Sequence, residues 1–171
     1  MQAIMDLDQK KSAIEEGVDI ETIFSQQGKV RSKLMAPKMD RHLSTPPFVE
    51  FTKGLRVLIY NDTLGVESTV TARYGKYWEN EGNVLLKDSV VVINKQGKRL
   101  DCSELNWDSK KEIFYTYKPV KISTPTDTIR GANGMESNQD FSDYKILSVS
   151  GPVTMEDSTA TAPPADSTVA E

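Results

Sequence analysis

The chain has 171 residues, of which 27% are charged, and a formal net charge of −4 at pH 7; that length suits one domain with tails. Glu156, Asp157, Asp166 and Glu171 lie in residues 152–171, which hold no Lys or Arg, so the tail carries the imbalance and residues 1–151 are formally neutral. A neutral body excludes the basic excess of a nucleic-acid binder, and no run reaches the ~18 apolar residues of a membrane span.

Residues 1–17 are polar, with a short helical possibility over 10–16 that has little apolar face to bury, and they read as a linker. From Val18 the pattern becomes alternation, with Val18, Ile20, Thr22 and Phe24 on one side and a turn at Gln27-Gly28. In residues 29–36, Val30, Ser32, Leu34 and Ala36 share a face opposite Arg31, Lys33 and Met35. Pro37, Pro46 and Pro47 withhold ladder donors and are expected to break up the stretch between Ala36 and Phe48.

Leu55–Tyr60 reads as a strand with Leu55, Val57 and Ile59 facing one way, followed by a hairpin loop over 61–65. Its Asn61-Asp62-Thr63 matches a glycosylation sequon and is read as part of that turn. Residues 66–74 alternate cleanly, placing Val66, Ser68, Val70, Ala72 and Tyr74 opposite Glu67, Thr69, Thr71 and Arg73. Gly82 and Gly97 punctuate the centre of the chain.

Between those glycines, Val90 and Val92 face one way and Val91 and Ile93 the other, so both faces of that strand are expected to avoid water. Further ribs follow at 98–102, 105–108, 112–117, 120–122, 128–131 and 144–149. Their similar lengths suggest repeated supersecondary units without sequence repeats. Turn signals about every 8 to 12 residues predict an all-β, antiparallel sandwich, jelly roll or barrel. The acidic Pro/Ala/Ser/Thr tail, 152–171, is expected to be disordered.

Chemistry-bearing residues are sparse. Cys102 is the single cysteine; in a strand it reads as a buried, inert thiol. His42 is the single histidine and sits between Arg41 and Leu43 in a Pro-flanked segment, which gives no triad. One Cys and one His provide no metal-ligand spacing, so no metal or other cofactor is expected. Gly28-Lys29, Gly75-Lys76 and Gly97-Lys98 lack the rest of a phosphate-binding loop. Asp101, Glu104 and Asp108 alternate along strands and do not converge on one bond. The chain is therefore read as a non-enzyme, with a groove as the expected functional element.

Residues 28–151 resemble the LptC family of lipopolysaccharide export. The stretches that carry the resemblance are Gly28-Lys-Val-Arg with Leu34-Met-Ala-Pro, Thr71-Ala-Arg-Tyr-Gly, Val90-Val-Val-Ile-Asn-Lys-Gln-Gly-Lys-Arg-Leu, Leu105-Asn-Trp-Asp, Val120-Lys-Ile, Gly131-Ala-Asn-Gly-Met-Glu-Ser and Val149-Ser-Gly. The resemblance implies an open, twisted β-jelly roll over 18–151 in the periplasm, anchored to the inner membrane by an N-terminal segment absent from this sequence. It implies lipopolysaccharide received from an inner-membrane ABC transporter and passed to an LptA-like bridge protein by strand addition at an open edge. The alternatives are the soluble LptA-type bridge of the same fold and a β-rich envelope interaction module with a closed core.

Acyl chains need an apolar lining, at about 0.8 kcal/mol per CH₂ removed from water. Alternation selects Leu34, Val57, Ile59, Val70, Ala72, Leu86, Val90, Val92, Leu100, Leu105, Val120, Ile122, Ile129 and Val149. Lys53, Arg56, Arg73 and Lys76 are candidates for a phosphate-binding rim. Gly131 and Gly134 are candidates for a bulge or turn at the groove's end, and Tyr144, Ile146 and Val149 for the partner-binding edge. A single bulge would invert any of these facings.

Overall fold

The computed structural model describes residues 13–139, 141–148 and 151–154, the last four as backbone only. Their regular structure is entirely antiparallel strand: β1 (Ile14–Gln26), β2 (Lys29–His42), β3 (Phe48–Phe51), β4 (Leu55–Tyr60), β5 (Val66–Ala72), β6 (Tyr74–Trp78), β7 (Asn83–Asn94), β8 (Arg99–Asp108), β9 (Ile113–Thr116), β10 (Val120–Ser123), β11 (Thr128–Gly131), β12 (Met135–Asn138), β13 (Tyr144–Ser148) and β14 (Gly151–Thr154).

Strand length organises this set, because the long strands change partner midway. β2 pairs with β4 through residues 32–35 and with β3 through 40–42. β7 pairs with β6 through 83–87 and with β5 through 91–94. β8 pairs with β10 through 99–102 and with β9 through 106–108. The short strands thereby sort into two layers, one running β1-β2-β4-β5-β7-β8-β10-β11 and the other β1-β2-β3-β6-β7-β8-β9-β12-β13-β14. Each long strand belongs to both layers and bends where it crosses, so the ribs are V-shaped with a common apex line.

The layers face each other across the V. Phe24 of β1 and Tyr77 of β6 meet edge to face at 6.0 Å between centroids. Nearer the apex they almost touch, since a Cβ on Gly75 of β6 would lie 3.0 Å from a Leu55 methyl on β4.

Local chemistry makes the bends. Asp88 and Ser89 of β7 have φ of 66° and 54° and form a bulge between Lys87 and Val90 against β8. The Asp88 carbonyl accepts from the Arg73 N–H at 3.0 Å, so the corner between β5 and β6 abuts the bulge of β7. Pro37 sits where β2 has left β4 and not yet met β3, and its counterpart Asp19 on β1 is also unpaired there. A missing ladder donor at such a place costs nothing.

Several expectations are corrected by this geometry. β1 begins at Ile14, inside the stretch expected to be linker or short helix, and Asp19, at φ 50°, reverses the alternation so that Val18 is exposed while Ile20, Thr22 and Phe24 turn inward. β2 continues through Pro37 to His42, and only Pro46-Pro47 falls in a connection. Tyr74 does not end the preceding strand but starts β6, because the chain turns at Arg73. Ile93 is 42% exposed, so the outer face of β7 is wet and not covered. β14 carries regular structure to Thr154, past the expected boundary at 151; the rest of the tail and residues 1–12 lie outside the described residues.

An apolar cavity between the layers

At the β1–β6 end the V stays open. A cavity of about 360 Å³ lies between the layers, within the size range of small-molecule sites. Phe24, Leu34, Val57, Ile59 and Val70 form one wall, and Phe51, Tyr77, Val84, Leu86, Trp107 and Phe114 the other, with Leu55 towards the apex. Trp107 and Phe114 pack at 4.8 Å between centroids, tilted by 52°, so the second wall is largely a ring surface. The lips are polar: Ser25, Gln26, Arg31 and Ser32 on one side, and Gly82, Ser109, Glu112 and Gln139 at the hairpin tips of the other.

At the β8–β13 end the V is shut. Phe141, from the turn between β12 and β13, is 1% exposed and stacks with Tyr144 at 5.9 Å. Lys98, from the facing β7–β8 turn, places its ammonium 4.8 Å from the Tyr144 ring and donates to the Ser142 carbonyl at 3.5 Å. Leu100, Ile122, Met135 and Val90 beneath are fully buried. The two tips meet here, whereas at the other end the cavity lies between the layers.

This division sorts the residues selected by alternation. Leu34, Val57, Ile59, Val70 and Leu86 line the cavity. Ala72, Val90, Val92, Leu100, Leu105, Val120 and Ile122 are buried in the packed core, with Ile129 packed against it. Val149 lies outside the described residues. Sequence reasoning overlooked Phe51, Tyr77, Val84, Trp107 and Phe114 and did not carry Phe24 into the lining. The parity of Leu105 and Trp107 along β8 was the available signal for one of them.

The expected cationic rim is not at the opening, for none of Lys53, Arg56, Arg73 and Lys76 lines the cavity. Lys53 lies in the apex turn between β3 and β4 and Arg73 at the β5–β6 corner, while Arg56 is exposed on the outer face of β4. The Lys76 ammonium lies 4.1 Å from the Phe48 ring centroid and 5.0 Å from that of Trp78, on the outside of the second layer. The charged groups at the lips are Arg31 and Glu112.

Gly131 and Gly134 have different roles. Gly134 has φ 96°, and a Cβ there would stand 1.8 Å from the Thr116 carbonyl oxygen, so backbone passes against backbone as only glycine permits. Gly131 lies within β11 and leaves room for a methyl of Ile146. Tyr144 and Ile146 are not on an edge, since β13 is paired on both sides, by β12 and β14. Among the described residues the terminal strand of that layer is β14, and β1 is terminal at the other end.

Several ionisable groups outside the cavity are paired with one another. Arg41 donates from Nε and Nη2 to the two carboxylate oxygens of Glu79 at 2.6 and 2.9 Å, and this bond holds the Glu79 carboxyl below the usual range. Arg99 does the same to Asp101. The Tyr74 hydroxyl donates to Glu50, and burial followed by that carboxylate raises its pKa well above the ordinary phenol value. Burial pushes the Cys102 thiol up to about 12. Among the described residues no three His, Cys, Asp or Glu side chains group to hold a metal ion. Chemically, the arrangement offers an apolar interior and places its charged groups, Arg31 and Glu112, at the lips.

A family model described as lipopolysaccharide-assembly, LptC-related, matches residues 9–151. No curated protein matches the chain.

Proposed function

The chain belongs to the LptC family of lipopolysaccharide-assembly proteins, a family of periplasmic lipopolysaccharide transport, and on that premise we propose that the cavity is the acceptor for acyl chains during export. Lipopolysaccharide arrives from the inner-membrane ABC transporter, its chains enter between the lips of the β1–β6 end, and it leaves to an LptA-like bridge protein. The protein performs no chemistry on the lipid and is held at the inner membrane. The observation that carries this reading is the cavity itself, apolar within and polar only at its opening.

Desolvation supplies the affinity. Each methylene that leaves water contributes about 0.8 kcal/mol, so chains filling part of the cavity bind without a dedicated motif. Exit towards a bridge protein uses the side of β14 that has no strand partner among the described residues, in place of the edge expected at Tyr144 and Ile146. An unpaired strand edge offers N–H and C=O groups to an incoming strand.

The test is photocrosslinking in cells with a benzophenone side chain at Val57 or Val84, on the two walls, and at Val92 and Leu64 as packed and exposed controls. Lipopolysaccharide adducts at the wall positions, dependent on ATP hydrolysis by the transporter, are the expected result. Equal capture at Leu64, or none at either wall in folded, membrane-associated protein, sinks the reading in favour of a β-rich interaction module.

A further inference from the structure

β1 and β2 hold one register from Ile14 opposite His42 to Phe24 opposite Ser32, then shift so that Ser25 faces Val30. Arg31 is the extra residue of that bulge. Bulges re-aim side chains, and this one takes an arginine that alternation assigns to the outer face, beside Lys33 and Met35, and sets it on the lip of the cavity with Ser32 and Leu34.

Its hydrogen bonding is incomplete. Nη1 donates to Asp62 Oδ1 at 3.0 Å, while Nε is buried and has no hydrogen-bond partner. A buried N–H without an acceptor is costly, and a guanidinium fork matches the paired oxygens of a phosphate or carboxylate. With 33% of the side chain exposed, the group reaches solvent at the opening.

We propose that Arg31 binds the phosphate of an acylated, phosphorylated glycolipid whose chains occupy the cavity. This rests on the lipid reading of the cavity and adds to it the residue that orients the lipid. The facing lip carries Glu112, which repels phosphate, so the head group lies on the β2 side and the chains run inward past Val57 and Trp107.

The experiment is displacement of a fluorescent fatty-acid probe from the purified chain by three ligands: bis-phosphorylated lipid A, the same lipid after phosphatase treatment, and inorganic phosphate. Four proteins are compared, namely wild type, Arg31→Gln, Asp62→Asn and, as a cavity control, Val57→Asp. Arg31→Gln is expected to weaken phosphorylated lipid A by about tenfold or more, the scale of a charge-assisted bond, and to leave the dephosphorylated lipid unchanged. Asp62→Asn, which removes the competing negative charge at an exposed loop residue, is expected to tighten the phosphorylated lipid severalfold. Inorganic phosphate is expected not to displace the probe.

If Arg31→Gln and Asp62→Asn bind both lipids as wild type does while Val57→Asp binds neither, the Arg31 inference is overturned and the cavity reading stands. If wild type binds neither lipid, or Val57→Asp loses nothing, the cavity reading fails and takes the inference with it. Displacement by inorganic phosphate that depends on Arg31 would assign the site to free phosphate and overturn the lipid head group as its source.

Discussion

The two ends of the roll are built from the same V-shaped ribs and reach opposite outcomes. At the β8–β13 end a turn delivers Phe141 into the gap and Lys98 reaches across to it, so the interior is filled. At the β1–β6 end the corresponding tips carry Gln26, Gly82 and Ser109, and the gap remains. Whether a jelly roll is a core or a container is decided here by the residues at its hairpin tips. The strand pattern is alike at both ends.

The strongest way to break the closed end is Gly134→Ala. A Cβ 1.8 Å from the Thr116 oxygen cannot be relieved by a side-chain rotation, and its positive φ adds strain. A loss of about 4 kcal/mol or more in urea unfolding is expected, in the upper tail of single substitutions. A loss below about 1 kcal/mol would show that the β11–β12 crossing is not tight.

The comparison sharpens with one substitution made at both ends. Leu100→Ala, in the filled end, should cost about 4 kcal/mol because it opens a new void, whereas Leu34→Ala, on the wall of an existing cavity, should cost about 2 kcal/mol. Equal losses would mean that the open end is as densely packed as the closed one. Lipid A binding should be altered only by Leu34→Ala.

Ligand occupancy should reduce the contrast. Bound lipid at about 100 times its Kd raises apparent stability by about 2.7 kcal/mol, and hydrogen exchange should slow in β1, β2, β4 and β6 before β10 to β12. Uniform protection along the chain would argue against binding at one end.

The smallest effect is electrostatic. Glu79 and Asp101 both have folded pKa values lowered by an arginine, so their stabilisation is present above the unfolded carboxylate values near pH 4 and is lost as pH falls through the folded ones. Both pairs are substantially exposed, so the acid-side loss is slight. Arg41→Ala should remove the Glu79 part and loosen the open end, where the pair ties β2 to the β6–β7 tip. Arg99→Ala breaks a pair within one strand. A pH titration of the midpoint that is identical for Arg41→Ala and wild type would remove the pair from the account.

Much of this was legible in the residues. The Leu55–Tyr60 strand, its Asn61 loop and the inward set Ser68, Val70 and Ala72 follow from period-two alternation and turn chemistry. What escaped was every departure from regular alternation: the reversal at Asp19, the corner at Arg73 that creates β6, and the bulge that re-aims Arg31. Such departures depend on neighbouring strands, and a single chain segment does not encode its neighbours. Packed and cavity-lining positions were also indistinguishable, since Val57 and Val92 have the same side chain and both face inward along their strands. Their difference lies in what the facing layer places opposite them, which neighbouring residues in sequence do not specify.

Cys102 sits half-buried on β8 beside the bend, and its thiol stays protonated through neutral pH. Maleimides and other thiolate-seeking labels are therefore expected to react slowly with the native protein. A cysteine introduced on an exposed rib becomes the one position that reports, so spin labels or dyes can survey the separation of the two lips without first deleting the natural sulfur.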